Sequence, residues 1–284
     1  MPGHLLEKAI AVSTWVFMGM GVSLINLDLV PNWYSGSNFG VCLVVVYNSL
    51  FVLALVSHLK ALTKDPGYTP ELPVPDQVPL YMMRFCNTCN QWKPDKSHHC
   101  RRCRRCIHKM DHHCPWINNC VGGGNQKHFT LFLLYVELLC VVTLGVLGHG
   151  AYSYFGKTRF GFWTLIFRTV TGTVAVVFLL FTMVMISDQL ETIVYDSSQI
   201  DRVNLKRGEE LSLIRRVKKV MGENPLNWLN PFSDPPALDF TEKLFKFEKP
   251  QQEESFWKNL LIVGVFAIIS FSATCYYFKV KLGI

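Results

Sequence analysis

Residues 84–129 read RFCNTCNQWKPDKSHHCRRCRRCIHKMDHHCPWINNCVGGGNQKHF and hold seven of the chain's ten cysteines. Their spacing repeats. The set Cys86-x2-Cys89-x9-His99-x6-Cys106 recurs fourteen residues later as Cys100-x2-Cys103-x9-His113-x6-Cys120. Each set offers three thiolates and one imidazole, the donors of a closed tetrahedral zinc site. Because Cys100 and Cys103 fall between members of the first set, two zinc ions would cross-stitch a segment with few apolar residues of its own. In a reducing compartment such clustering indicates metal binding or catalysis rather than disulfides.

The two sets consume six of the seven cysteines and leave Cys114 over. It stands one period after Cys100, where a third repeat would open, but Ile117 occupies the place of that repeat's second cysteine. A thiol unclaimed by metal, next to an unassigned imidazole, is the minimum for nucleophilic catalysis. Thiolate is the reactive form, and an unperturbed thiol of pKa about 8.5 is mostly protonated at neutral pH, so a base is needed. His112 is the candidate base, and Asp111 the group that would fix its tautomer, by the logic of a catalytic triad. Side chains adjacent in sequence often point apart, and the zinc ligand His113 is the candidate for turning its neighbours to one side.

Outside this stretch the chain is apolar. Half of its 284 residues are hydrophobic and only 17% are charged, against about 25% in soluble domains. Five segments, 9–30, 39–62, 129–149, 163–187 and 259–278, approach the length of about 20 residues at which a helix crosses a bilayer with its backbone satisfied. The first is too long for the apolar core of a signal peptide and reads as a true span. The loop at 31–38 is uncharged, whereas 63–128 contains Arg84, Lys93, Lys96, Arg101, Arg102, Arg104, Arg105 and Lys109. The positive-inside rule places that basic loop in the cytosol, puts the short loop with Lys157 and Arg159 in the lumen, and returns 188–256 to the cytosol. The net charge of +7 is then a consequence of topology.

The expected fold is an all-α polytopic membrane protein with a small cytosolic two-zinc cysteine-rich domain between spans two and three. Spans one and two occupy 1–62, the zinc-binding catalytic domain 63–128, spans three and four 129–187, a cytosolic tail with an amphipathic segment 188–256, and a fifth span with the C-terminus 257–284. Cys42, Cys140 and Cys275 fall in spans and read as packing residues. Lys64-Asp65-Pro66-Gly67 stops span two. Residues 205–221 place Leu211, Ile214, Val217 and Met221 opposite Arg215, Arg216, Lys218 and Lys219, a pattern that fits a helix lying on anionic lipid or packed on the protein's own surface. Residues 224–236, with four prolines, read as a docked loop. Of the charges in spans three and four, Arg168 lies near the lumenal end and can snorkel, and Glu137 is expected to face other helices.

Asp111-His112-His113-Cys114, followed by Pro115-Trp116 and by Asn118-Asn119-Cys120-Val121-Gly122, resembles the cysteine-rich domain of the DHHC protein S-acyltransferases. The flanking spans and Asp65-Pro66-Gly67 are similar to the same family. The resemblance implies transfer of a long-chain acyl group, typically palmitoyl, from acyl-CoA to Cys114 as a thioester and then to cysteines of membrane-associated proteins. It implies His112 as base, Asp111 as its orienter, and two structural zinc ions in the ligand sets above. It further assigns Arg84, Lys93, Lys96 and His98 to the coenzyme A head group, and Trp116, Phe129 and Phe132 to the acyl chain. A eukaryotic endomembrane, Golgi or endoplasmic reticulum, with the active site cytosolic, goes with it.

The chain departs from the family pattern in its tail. Where the family carries Thr-Thr-x-Glu after span four, this chain has Asp196-Ser197-Ser198-Gln199-Ile200-Asp201. Arg216 takes the place of an asparagine before Val220-Met221-Gly222, and four spans are commoner than five. A competing reading, a membrane-tethered zinc adaptor that offers Arg101, Arg102, Arg104 and Arg105 to an acidic partner, makes Cys114 dispensable. Nucleic-acid binding lacks a recognition element to accompany the Cys-x2-Cys pairs.

Overall fold

The computed structural model describes residues 2–70, 84–94, 96–154, 161–204, 208 and 210–238. Among the described residues, four helices are long and apolar enough to cross a membrane, Leu5–Trp33, Asn38–Thr63, Gln126–Ser153 and Phe162–Tyr195, and the chain is a multi-pass membrane protein. The expected fifth span lies outside the described residues, as do Lys157 and Arg159.

Helix α1 (Pro2–Ser23) runs on through a π-helical stretch, Leu24–Leu29, into the short α2 (Val30–Trp33). Ser37 caps α3 (Asn38–Thr63) by accepting from the Gly40 amide at 3.0 Å. Helices α4 (Gln126–Tyr154) and α5 (Phe162–Tyr195) complete the bundle. The third span buries half of its apolar window and the others a third or less, so α4 is the central helix, packed between α3 and α5. The apolar side chains left outside, such as Val41, Val45 and Val52 on α3 or Val177, Leu180 and Val184 on α5, cover the lipid-facing surface.

Arg168 does not snorkel. Its guanidinium makes a two-pronged ion pair with Asp28 of the π-helical stretch, at 2.6 and 2.7 Å, and lies over the Trp33 ring. A charge that finds a bidentate partner inside the bundle has no need to reach for the interface. Glu137 faces Thr182 of α5, as expected for a residue between helices.

Between α3 and α4 the described residues form three two-stranded antiparallel hairpins, β1–β2 (Arg84–Cys86, Gln91–Lys93), β3–β4 (Ser97–Cys100, Arg105–His108) and β5–β6 (His112–Cys114, Asn119–Val121). Turn residues Asn90, Arg104 and Asn118, each fourteen positions after the last, adopt positive φ of 54°, 56° and 45°. The sequence repeat is therefore a repeat of hairpins, and its third copy exists even though its cysteine pair is incomplete.

The Asp65-Pro66-Gly67 stop is a turn in which the Asp65 carboxylate accepts from the amides of Gly67 and Tyr68 at 2.8 and 2.7 Å. Gly124 packs on it so closely that a β-carbon there would collide with the Asp65 carbonyl. The tail adds α6 (Gln199–Val203) and α7 (Leu213–Met221). The two options for the amphipathic segment resolve by halves. Val217, Val220 and Met221 pack on the bundle, while Leu213 and Ile214 stay exposed. The proline-rich loop docks as expected, because Lys127 Nζ donates to the Asn227 carbonyl and Ser233 Oγ, and Lys60 Nζ to the Phe232 carbonyl.

Candidate active site and metal centres

The hairpins explain both the ligand sets and the leftover thiol. In β3–β4, His99 stands directly across the ladder from Cys106; in β5–β6, His113 stands across from Cys120. Each cross-strand His–Cys pair meets the two turn cysteines of the preceding hairpin, giving the clusters Cys86, Cys89, His99, Cys106 and Cys100, Cys103, His113, Cys120. The third turn, Cys114 to Ile117, has no hairpin after it, since the chain enters α4. Among the described residues no downstream pair completes a site, and Ile117 is fully buried in the apolar core instead. Cys114 is thus a turn cysteine without a metal partner.

The donor sets fit zinc. Bonds of about 2.0–2.3 Å to a tetrahedral ion hold its ligand atoms roughly 3.3–3.8 Å apart. In the first cluster His99 Nδ1 lies 3.6 Å from Cys86 Sγ and 3.2 Å from Cys89 Sγ, and Cys106 Sγ is 3.8 Å from Cys89 Sγ. In the second, His113 Nδ1 lies 3.7, 3.5 and 3.5 Å from the sulfurs of Cys100, Cys103 and Cys120. These sulfurs are too far apart for disulfides, which need about 2.05 Å. Metal analysis is expected to return two zincs per chain, and Cys89→Ala to lose one zinc and the folded hairpins together, because binding and folding of such a module are one equilibrium. Full activity after complete chelation would contradict this.

Strand geometry decides which side chains meet. Successive residues of β5 point to opposite faces, so His113 turns to the metal cluster while His112 and Cys114 share the other face. Asp111 Oδ2 is 3.0 Å from His112 Nδ1. This bond leaves His112 Nε2 for chemistry; Nε2 is buried, and the Cys114 thiol beside it favours the protonated ring without satisfying hydrogen-bond geometry. Burial alone would lower the His112 pKa, but the hydrogen bond it donates to Asp111 and the nearby Cys114 sulfur carry it up to about 9. Burial would likewise raise Asp111, yet the hydrogen bonds it accepts hold its carboxyl below the ordinary range. They come from His112, from the Gln199 amide at 2.7 Å and from Gln189 Nε2 at 2.9 Å, with Thr192 Oγ1 at 3.4 Å.

Cys114, only 3% exposed, lines a partly open, apolar cavity between α1, α3, α4 and α5. Trp116, Phe129 and Phe132 line its near end, and Phe129 also meets the His112 ring edge-on at 5.5 Å. Its far end is formed by Gly21, Tyr47, Thr143 and Thr171, with Tyr47 and Thr143 hydroxyls bonded at 2.8 Å. Thr143 stands fourteen residues beyond Phe129 on α4, roughly 21 Å along the axis, so the cavity runs deep along that helix, and its lining is mostly apolar.

The candidate head-group residues separate into two pairs. Arg84 and Lys93 face each other across β1–β2. Lys96 and His98 are instead held by tail carboxylates, Lys96 by Asp196 at 3.3 Å and His98 by Asp201 at 2.8 Å. Asp196 also binds Lys109 and Lys219, at 2.7 and 3.1 Å, and these three ammonium groups hold its carboxyl well below the ordinary range despite burial. One carboxylate against three lysines leaves the patch net positive. Gln189, Thr192 and Gln199, which seat Asp111, were not among the expected site residues. The only sequence signal for them was their position at and after the end of span four, where the expected motif is degenerate.

A family model described as DHHC palmitoyltransferase matches residues 81–206. Mouse palmitoyltransferase ZDHHC7 is 35% identical over 252 residues, covering 78% of this chain and 77% of that protein. Rat palmitoyltransferase ZDHHC3 is 35% identical over 207 residues, covering 67% and 69%, and mouse palmitoyltransferase ZDHHC15 is 34% identical over 183 residues, covering 59% and 52%. Interlocked Cys3His clusters, a solitary thiol faced by a carboxylate-held imidazole, a bundle of apolar helices and relatives of this identity and coverage lead to one assignment: the chain belongs to the DHHC palmitoyltransferase family.

Proposed function

We propose that this protein is a protein S-acyltransferase that carries a long-chain acyl group, palmitoyl in the first instance, on Cys114. The observation that carries the reading is the placement of Cys114, on one strand face with His112 and at the mouth of a deep apolar cavity. In the first half-reaction the Cys114 proton passes to His112 Nε2 and the sulfur attacks the thioester carbonyl of acyl-CoA. The coenzyme A sulfur leaves and takes that proton, and the acyl group remains as a thioester on Cys114. In the second, a substrate cysteine yields its proton to His112 and attacks the new thioester, and the proton returns to Cys114. Asp111 keeps Nδ1 protonated throughout, so Nε2 is always the nitrogen that faces sulfur.

Zinc, held by the two Cys3His sets, supplies structural cross-links and leaves the acyl chemistry to Cys114. The nucleotide phosphates are assigned to the cationic surface of Arg84, Lys93, Lys96 and His98, the net charge of the lysine patch around Asp196 supporting this. The charge distribution of the loops supports a cytosolic position for the hairpins, and the family supports a eukaryotic endomembrane, Golgi or endoplasmic reticulum. Partners are then acyl-CoA, the lipid bilayer and membrane-associated proteins with cytosolic cysteines.

Substrate kinetics test the reading. Pre-steady-state mixing with palmitoyl-CoA should release coenzyme A in a burst equal to the enzyme present, and the steady state should be ping-pong. A sequential mechanism with no burst would count against a covalent carrier.

Cavity depth makes a second test. A β-carbon at Gly21 would meet the Tyr47 hydroxyl, so side-chain bulk at the far end shortens the cavity. Each methylene denied burial costs about 0.8 kcal/mol, roughly fourfold in binding. Tyr47→Ala is expected to shift preference from palmitoyl-CoA towards stearoyl-CoA, and Gly21→Leu towards myristoyl-CoA, in competition assays. An unchanged ranking in both variants would place the acyl chain elsewhere.

A further inference from the structure

An imidazole inside an apolar helix is costly unless its ring nitrogens are satisfied. His58 sits near the end of α3, completely buried, and both of its nitrogens are used. The Trp15 indole of α1, which can only donate, gives its Nε1–H to His58 Nδ1 at 3.0 Å. That bond fixes the tautomer, because Nδ1 must be the bare nitrogen and the neutral ring then carries its proton on Nε2. Nε2 lies 2.9 Å from the carbonyl oxygen of Trp116 and donates to it.

Trp116 belongs to the Pro115–Asn118 turn that follows Cys114, closed by the Asn118 amide on the Pro115 carbonyl at 3.2 Å. The same helix holds the far side of this turn, where Asn119 Nδ2 donates to the carbonyls of Ala61, Leu62 and Lys64 at 3.2, 3.2 and 3.0 Å. The last turns of α3 therefore hold the Cys114 hairpin at two points, one given by the helix and one received. His58 also packs edge-on against Phe132, at 4.9 Å, from behind the cavity wall. The Trp116 ring reaches the other wall, against Phe178 and Phe181.

We infer that His58 is a positioning residue for acyl transfer, a bridge through which Trp15 and α3 set the Cys114-Pro115-Trp116 turn against His112 and the acyl cavity. The inference rests on Cys114 being the acyl carrier. His58 touches neither substrate nor thiol. It acts on where the sulfur and the Trp116 wall stand, and displacement of about 1 Å is enough to cost on the order of a hundredfold in rate.

The test uses the full chain in detergent or nanodiscs and follows single-turnover formation of the hydroxylamine-labile acyl-enzyme against palmitoyl-CoA concentration. His58→Phe keeps the bulk and removes the donor. It is expected to slow acylation by about ten- to a hundredfold, while half-saturation by palmitoyl-CoA moves less than about threefold, since the phenyl ring still backs Phe132 and the cationic surface is untouched. His58→Gln, whose amide can donate to the Trp116 carbonyl, is expected to recover to within about threefold of wild type. Trp15→Phe should lie between, because Nε2 can still donate although its tautomer is no longer imposed.

A wild-type rate in His58→Phe overturns the inference. So does a His58→Gln variant as slow as His58→Phe when both retain two zincs and wild-type thermal stability. Failure of the parent reading looks different: the wild type itself would then acquire no thioester on Cys114.

Discussion

Cys114→Ala is expected to abolish acyl-enzyme formation and transfer to protein substrates, lowering both by about 10^4-fold or more, while leaving the protein folded with two bound zincs. The reasoning is topological. Every other cysteine of the hairpins belongs to a Cys3His cluster that could hold a metal, either in a turn that precedes another hairpin or in a cross-strand His–Cys pair. Cys114 occupies the one turn with no hairpin after it, so its sulfur can be removed without opening a metal site. Its side chain is also small, and the void left by one sulfur atom beside an existing cavity costs little packing energy. Activity and architecture should therefore separate cleanly at this residue. The zinc-adaptor reading makes the opposite prediction, that Cys114 is dispensable. Radiolabel transfer and metal content measured on the same preparation decide between them.

Asp111→Asn is expected to be nearly as severe for a different reason, lowering the acylation rate by on the order of 10^2- to 10^4-fold. The wild-type carboxylate accepts hydrogen bonds from His112, Gln189, Thr192 and the Gln199 amide. An asparagine in the same place offers one acceptor oxygen and a donating amide. If its nitrogen faces His112, the imidazole must present a bare Nδ1 and carry its proton on Nε2, where it cannot receive one from Cys114. If its oxygen faces His112, the amide points at the donors from α5 and α6, and unfavourable contacts of about 1–3 kcal/mol follow. Loss of rate accompanied by a modest fall in thermal stability is therefore the expected signature, with zinc content unchanged. An Asp111→Asn enzyme with wild-type acylation kinetics would mean that His112 needs no orientation.

What could be read from the amino-acid order depended on whether the governing interaction was local. Ligand sets built on a fourteen-residue period survive as pattern because each hairpin repeats the same turn, with Asn90, Arg104 and Asn118 in the left-handed region. The spans were legible because the bilayer imposes one length on all of them. Pairings between helices were not, since an apolar run shows no preferred face. Arg168 looked like a snorkelling residue because its partner Asp28 lies 140 positions away in the chain. The bond between Trp15 and His58 joins residues 43 positions apart and was hidden for the same reason. The carboxylate Asp111 was recognisable, whereas the Gln189 and Thr192 side chains that seat it emerge only when the end of α5 is placed beside β5. The tail motif was degenerate as a string, yet Ser198 still caps α6 and aims the Gln199 amide at Asp111. Lys96 and His98 were expected to be open to a nucleotide, and their tail carboxylates were invisible without the fold.

The most direct measurement is the mass spectrum of intact, purified enzyme mixed briefly with palmitoyl-CoA, followed by peptide mapping. One palmitoyl group per chain, located on Cys114 and removed by neutral hydroxylamine, is the predicted result. Palmitate found only on another cysteine while turnover proceeds, or Cys114 found coordinating a metal ion, would contradict the account.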